Sequence, residues 1–128
     1  MAEKENSGRT LLIVEDDELL LRALYITFHN SGYSIATAED GDTAFKMTLR
    51  LKPDAVLLDL LLPKMNGFDF LKNVKADPAT KSIPVVILSN LGDQENMDKA
   101  KALGAEYYFI KSNTSLEGLK KIIDKILI

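Results

Sequence analysis

Residues 55–67 read AVLLDLLLPKMNG. Four apolar residues run into Asp59, and three leucines follow it. A short continuous apolar run bounded by turn residues fits a strand buried on both faces. A carboxylate at the tip of such a run is costly, because an unpaired buried charge forfeits its hydration. Pairing, metal binding or neutralisation is the usual outcome, so the rest of the chain must supply a partner for Asp59.

Strand and helix alternate in both directions from this stretch. TLLIV (10–14) is a second continuous apolar run. Leu20, Ala23, Leu24, Thr27 and Phe28 then follow the i, i+3, i+4, i+7, i+8 spacing of a buried helix face. Gly32 fits the left-handed position beyond that helix. YSIATA (33–38) reads as a strand, and Asp40 as the cap of a helix with Ala44, Phe45 and Leu49 inward. Pro53 closes that helix, and DAVLL (54–58) is the next strand. Gly67 opens a helix with Phe68, Leu71 and Val74 inward, and ADPAT (76–80) ends it. PVVIL (84–88) is the fourth strand; Asp93 caps a short polar helix to Leu103, with Gly104 just beyond. EYYFI (106–110) is the fifth strand. TSLE (114–117) has the capping-box form T-x-x-E and starts a last helix. Its stripe is Leu116, Leu119, Ile122, Ile123, Ile126 and Leu127, with Gly118 weakening it by ~1 kcal/mol relative to alanine.

Five strand–helix units with apolar strands imply an α/β domain, a parallel sheet covered by helices on both faces. The 128 residues suit one domain, 46% of them are apolar, and there is no internal repeat. Residues 1–8 are polar and expected as a disordered tail ahead of a domain over 9–128. Sixteen basic against nineteen acidic side chains, a net charge of −3, argue against direct nucleic-acid binding through phosphate attraction. The absence of cysteine excludes disulfides, thiolate zinc sites and a cysteine nucleophile. No apolar run approaches the ~18 residues of a membrane span, and the start is no signal peptide. A cytoplasmic protein is expected.

In parallel sheets of this kind functional groups gather beyond the carboxyl ends of the strands. Strand one is followed by Glu15, Asp16 and Asp17, strand three by Asp59, strand four by Ser89 and Asn90, and strand five by Lys111. Two carboxylates ~5 Å apart repel by ~3 kcal/mol at an effective dielectric near 20, so such a group needs a cation. All-oxygen ligands suit Mg²⁺, with Mn²⁺ as the alternative, better than zinc. Lys111 adds a movable point charge and Ser89 a hydroxyl donor. Together these parts suit phosphoryl transfer to a carboxylate.

The sequence resembles the response-regulator receiver domains of two-component signalling. The likeness is carried by LLIVEDD (11–17), LLDLLLPKMNG (57–67), ILS (87–89) and YFIK (108–111), with AEDGDTA (38–44) and LGAEYY (103–108) in support. The resemblance implies a flavodoxin-like (βα)5 three-layer sandwich with strand order 2-1-3-4-5. It implies that Asp59 is the phospho-acceptor, receiving the phosphoryl group from a sensor histidine kinase or a histidine phosphotransfer protein. It implies a Mg²⁺ site made by Asp16, by Glu15 largely through water, by Asp59 and by the backbone carbonyl of Leu61. Lys111 would contact the phosphoryl group, and Ser89 would be the hydroxyl that moves towards it. Tyr108 would be the aromatic switch, turning inward so that the surface of the fourth helix, fifth strand and fifth helix controls a downstream protein. Such a protein catalyses its own phosphorylation and slow dephosphorylation without being a conventional turnover enzyme. A monomer is expected.

The sequence departs from the family pattern at four positions. Ser112 follows Lys111 where most members have a proline after a cis bond, so either a trans bond or a strained one is expected. Asn90 replaces a small residue and narrows the approach to the site. Leu61 and Leu91 stand at rim positions that are often polar, and two leucines there would shield an acyl phosphate from water. On the first helix, Leu19, Arg22 and Ile26 form a second stripe. It reads either as scattered surface hydrophobes or as a kinase-docking face. Simpler readings stand beside the others too: EDD as an ordinary helix start, Tyr108 as edge-strand packing, His29 as an exposed helix residue. The competing function is a degenerate receiver acting as a constitutive protein-interaction module without phosphorylation. A metal-dependent phosphatase is disfavoured, because its D-x-D pattern is absent at Asp59-Leu60-Leu61.

Overall fold

Each apolar run becomes a strand, and each periodic stretch a helix. The computed structural model describes residues 8–128; the expected tail, apart from Gly8, lies outside the described residues. The elements are β1 (Thr10–Val14), α1 (Glu18–Phe28), β2 (Ser34–Ala38), α2 (Gly41–Leu51), β3 (Ala55–Leu58), α3 (Gly67–Ala76), β4 (Val85–Ser89), α4 (Gln94–Ala102), β5 (Tyr107–Ile110) and α5 (Leu116–Leu127). A 3₁₀ turn, Lys111–Asn113, joins β5 to α5. All strand pairs are parallel, in the order β2-β1-β3-β4-β5. The expected strand order and α/β architecture are therefore those observed.

The sheet divides the core into two layers. Leu12, Val14, Val56, Leu58 and Ile87 point to one face and pack with Ala44 of α2, Phe70, Leu71 and Val74 of α3 and Ala100 of α4. Leu11, Ile13, Leu57 and Val86 point to the other, against Leu24 and Phe28 of α1 and Leu119, Ile123 and Leu127 of α5. Alternation along each strand feeds both layers, which is why the strands read as unbroken apolar runs rather than as alternating ones.

Three local expectations change. Leu49 is 38% exposed, and Thr48 is buried in its place, its hydroxyl donating to the Ala44 carbonyl at 2.8 Å. Leu49 stands five residues from Ala44, about 140° round the helix, whereas Thr48 lies one turn on. Phe70 is fully buried beside Leu71, while Phe68 is only half-buried, its ring 4.3 Å from the Lys99 ammonium. The α5 cap is Ser115, whose Oγ accepts from the Gly118 N–H at 3.0 Å; the Thr114 hydroxyl instead donates to the Ile110 carbonyl at 2.8 Å. Thr114 closes the 3₁₀ turn, so the stretch before the cap is one residue longer than the capping-box reading assigns.

At the rim where the strands begin, Lys75 binds three segments together. Its ammonium donates to the Ile83 carbonyl (2.7 Å), the Lys81 carbonyl (3.2 Å) and Glu106 Oε1 (3.0 Å), and Glu106 Oε2 accepts from the Val85 N–H at 2.6 Å. Among the described residues, no helix is long and apolar enough to cross a membrane.

Candidate functional site

The sheet mounts the two acids nearest its centre. The Glu15 N–H donates to the Ala38 carbonyl and the Asp59 N–H to the Val14 carbonyl, each at 3.0 Å. The ladder thus runs one residue past β1 and β3, fixing the backbone of both acids. Glu15 is 2% exposed and Asp59 4%, while Asp16 reaches solvent. Carboxylate oxygens of Glu15, Asp16 and Asp59 lie within 4.8 Å of one another. Asp17, though adjacent in sequence, leaves the group: it caps α1, accepting from the Leu19 and Leu20 amides at 3.1 and 3.3 Å.

Lys111 is the partner that the Asp59 carboxylate requires. Its ammonium lies 2.8 Å from Asp59 Oδ2 and 2.7 Å from Glu15 Oε1. The remaining oxygens meet backbone donors: Glu15 Oε2 takes the Asp17 N–H at 3.0 Å, and Asp59 Oδ1 the Leu61 N–H at 3.1 Å. Each buried carboxylate therefore has one oxygen on the ammonium and one on an amide, so neither is left unsatisfied. Burial pushes the Glu15 carboxyl above its ordinary value, against the lowering effect of the Lys111 and Asp17 hydrogen bonds. Burial alone would lower the Lys111 ammonium, but hydrogen bonds to Asp59 and Glu15 outweigh it and hold the pKa above the usual lysine value. Lys111 is a firmly charged cation in this setting.

A second group surrounds the β4–α4 loop. Ser89 is fully buried at the end of β4, and its Oγ accepts from the Leu91 N–H at 3.4 Å. The Tyr108 hydroxyl donates to the Leu91 carbonyl. One residue, Leu91, is thus held on one side by Ser89 and on the other by Tyr108. Burial raises the Tyr108 phenol, and the negative charges of Asp93 and Asp59 add to the effect. Asn90 is exposed, Leu91 half-buried, and Leu61 is 55% exposed beside the carboxylates. The Lys111–Ser112 bond is trans, the first of the two geometries expected from Ser112.

Leu19, Arg22 and Ile26 stay apart from the cluster, on the outer face of α1; Leu19 is 78% and Ile26 61% exposed. Sequence reasoning missed Tyr25, which is 49% exposed on that helix and stacks on His29 at 6.0 Å. It also missed the contact of Lys111 with Glu15 and the part played by Leu91. The first joins residues 96 positions apart, and the second uses only backbone atoms of a leucine, so neither has a local signal.

The donor set fits a hard divalent cation. Three carboxylates from two adjacent strand ends bring oxygens together, with no nitrogen or sulfur donor in the group, and exposed Asp16 leaves a side open for water or substrate oxygens.

A family model described as the response regulator receiver domain matches residues 11–124. The response regulator PleD of Caulobacter vibrioides is 36% identical over 101 residues, 79% of this chain and 22% of PleD. The chain thus spans only about a fifth of that relative's length. A crystal structure of the phosphorylated cyanobacterial phytochrome response regulator RcpA is similar, with a TM-score of 0.80 and 31% identity, covering 94% of this chain and 91% of that one. A crystal structure of the Mn²⁺-bound form of the response regulator Rcp1 has a TM-score of 0.79 at 26% identity, covering 90% of this chain and 89% of that one.

Proposed function

The chain belongs to the response-regulator receiver family of two-component signalling, and on that footing we propose that it is a phosphorylatable switch with Asp59 as phospho-acceptor. The observation that carries the proposal is the contact of Lys111 with Asp59 at 2.8 Å within an acidic cluster that includes exposed Asp16. An Asp59 oxygen attacks the phosphorus of a phosphohistidine on a sensor kinase or phosphotransfer protein. The new O–P bond forms as the N–P bond breaks, and the electron pair of that bond returns to the leaving imidazole. Positioning and charge neutralisation account for most of such a transfer.

Mg²⁺, with Mn²⁺ as the alternative, would be held by Asp16, Asp59, Glu15 and the Leu61 carbonyl, and supplies charge neutralisation for the phosphoryl oxygens. The backbone bonds of Glu15 and Asp59 hold the nucleophile in place. Lys111 trades a carboxylate contact for a phosphoryl oxygen, staying charged throughout. Ser89 Oγ gives up the Leu91 amide to donate to the phosphoryl group. That exchange alters the residue that Tyr108 grips, and so links the chemistry to the face formed by α4, β5 and α5. This face then controls a downstream protein. The protein works in the cytoplasm as a monomer, without direct contact with nucleic acid. It promotes its own phosphorylation and a slow dephosphorylation rather than turning over a separate substrate.

The test is incubation with Mg²⁺ and acetyl phosphate, read by intact mass. The expected result is an adduct of about 80 Da that is lost in Asp59→Asn. Folded protein that binds Mg²⁺ yet takes up no phosphate from either acetyl phosphate or a kinase would overturn it. That outcome would favour a constitutive interaction module, to which Ser112 after Lys111 lends some support. Leu19, Arg22 and Ile26 would form the kinase-docking face. Leu19→Ala with Ile26→Ala should slow transfer from a kinase at least tenfold while leaving acetyl phosphate labelling intact; equal loss with both donors would exclude docking.

A further inference from the structure

Gly41 is the first residue of α2 and is buried. Backbone conformation does not explain the glycine, since the positive-φ glycines among the described residues are Gly8, Gly32 and Gly104. Close approach does. A Cβ at position 41 would lie 1.7 Å from the Met65 carbonyl oxygen, 2.6 Å from its carbon and 2.8 Å from the Met65 Cβ. The obstruction is backbone, so no side-chain rotation relieves it. The loop itself would have to move by more than an ångström to bring that contact to 3.0 Å.

That loop carries the acceptor. The Gly41 N–H donates to the Pro63 carbonyl at 3.3 Å, and the same carbonyl takes the Met65 N–H at 2.9 Å. The tight turn between them holds Lys64 at φ 68°, a conformation that side-chain-bearing residues rarely adopt. At the other end, the Gly67 N–H donates to the Leu60 carbonyl at 2.9 Å, and a Cβ there would lie 2.6 Å from the Asp59 carbonyl oxygen. Between these two close contacts sits Leu61, whose amide donates to Asp59 Oδ1 at 3.1 Å.

We propose that Gly41 is a positioning residue: its missing side chain lets α2 seat the segment 60–66, and that seating sets how tightly the carboxylate cluster holds a divalent cation. The inference rests on the reading of Asp59, Asp16 and the Leu61 carbonyl given above. It makes α2, which contributes no side chain to the cluster, part of the machinery that aligns it. Alanine is intrinsically the better helix former, so helix propensity alone gives no reason for Gly41→Ala to weaken the site.

The test is Mn²⁺ binding to Gly41→Ala, followed by the electron paramagnetic resonance signal of the free ion, with no phosphodonor present. Binding at least tenfold weaker than in the unaltered protein, with a cooperative unfolding transition retained, is expected. The half-saturating Mg²⁺ for acetyl phosphate labelling should rise by a similar factor, while the rate at saturating Mg²⁺ changes less. Unchanged Mn²⁺ affinity in a folded variant overturns the proposal. Should Gly41→Ala not fold, hydrogen exchange in the unaltered protein decides: Mg²⁺ should slow exchange of the Gly41 and Met65 amides several-fold, and identical exchange overturns the proposal. Because the Mn²⁺ titration and the hydrogen-exchange comparison use no phosphodonor, failure of Asp59 to accept a phosphoryl group would leave their result standing.

Discussion

At the scale of single residues, the chemistry turns on how each acid is paired. Leu61 is 55% exposed, and its amide donates to Asp59 Oδ1; on the reading proposed above, its apolar side chain would shield an acyl phosphate from water. Leu61→Asn should shorten the lifetime of the phosphorylated form several-fold, read by loss of the mass adduct over time; an unchanged lifetime would remove the shielding role. Glu15 makes the site pH-sensitive. Its carboxyl is raised by burial above 4.5, so in the folded chain it keeps its proton at a pH where the unfolded chain has lost it. Its contribution to stability is therefore full below 4.5 and lost as the pH rises through the higher folded value. The cation needs the opposite form, the carboxylate. Mg²⁺ affinity should fall as the pH drops through that raised folded value, and Glu15→Gln should flatten the dependence above 4.5. Sequence order exposed Glu15, Asp16, Asp59 and Lys111 as candidates, because each stands within two residues of the carboxyl end of a strand run. Strand order alone does not separate Asp16 from Asp17; the resemblance pointed to Asp16, and the first turn of α1 claims Asp17 as its cap.

Among the elements, caps and stripes were readable to different degrees. Asp40 and Asp93 stand where a polar residue precedes a periodic stretch, and both cap their helices. The Thr43 N–H, 2.7 Å from Asp40, holds that carboxyl below 3.8. A lowered acid stabilises the fold above its unfolded value and loses that contribution as the pH falls through the folded one. Asp40→Ala should therefore cost about 1 kcal/mol near neutral pH, and the difference from the unaltered protein should shrink in urea titrations carried well below 3.8. Ser115→Ala should cost a similar amount at α5, about 1 kcal/mol, whereas Ser115→Asp should retain most of it. The cap of α5 was misread by one residue because the 3₁₀ turn after β5 has no apolar periodicity to announce it. The inner face of α3 was incompletely read for another reason. Phe68, Phe70 and Leu71 are all apolar, and spacing alone does not say which ring the sheet receives.

For the molecule as a whole, stability and cation binding are linked. A ligand held only by the folded chain adds to its stability, about 2.7 kcal/mol at a concentration about 100 times Kd. Thermal unfolding should therefore shift upward with Mg²⁺, and Asp16→Asn should remove most of the shift while changing the Mg²⁺-free midpoint little. Phe70→Ala, in the core layer beneath α3, should lower stability by about 3–5 kcal/mol irrespective of Mg²⁺. The strand order was legible only through resemblance, since apolar runs identify strands without saying which lie side by side. The close seat of the 60–66 loop on Gly41 was not legible at all, being a backbone contact between distant segments. The common direction of the five strands has a practical consequence. Every loop at the acidic rim follows a strand, and every loop at the opposite rim follows a helix. A single engineered thiol at exposed Asn30, in a chain with no native cysteine, would carry a fluorophore or a surface tether on the rim remote from Asp59. Immobilised or labelled in this way, the protein would present its acidic rim freely to whatever is washed over it.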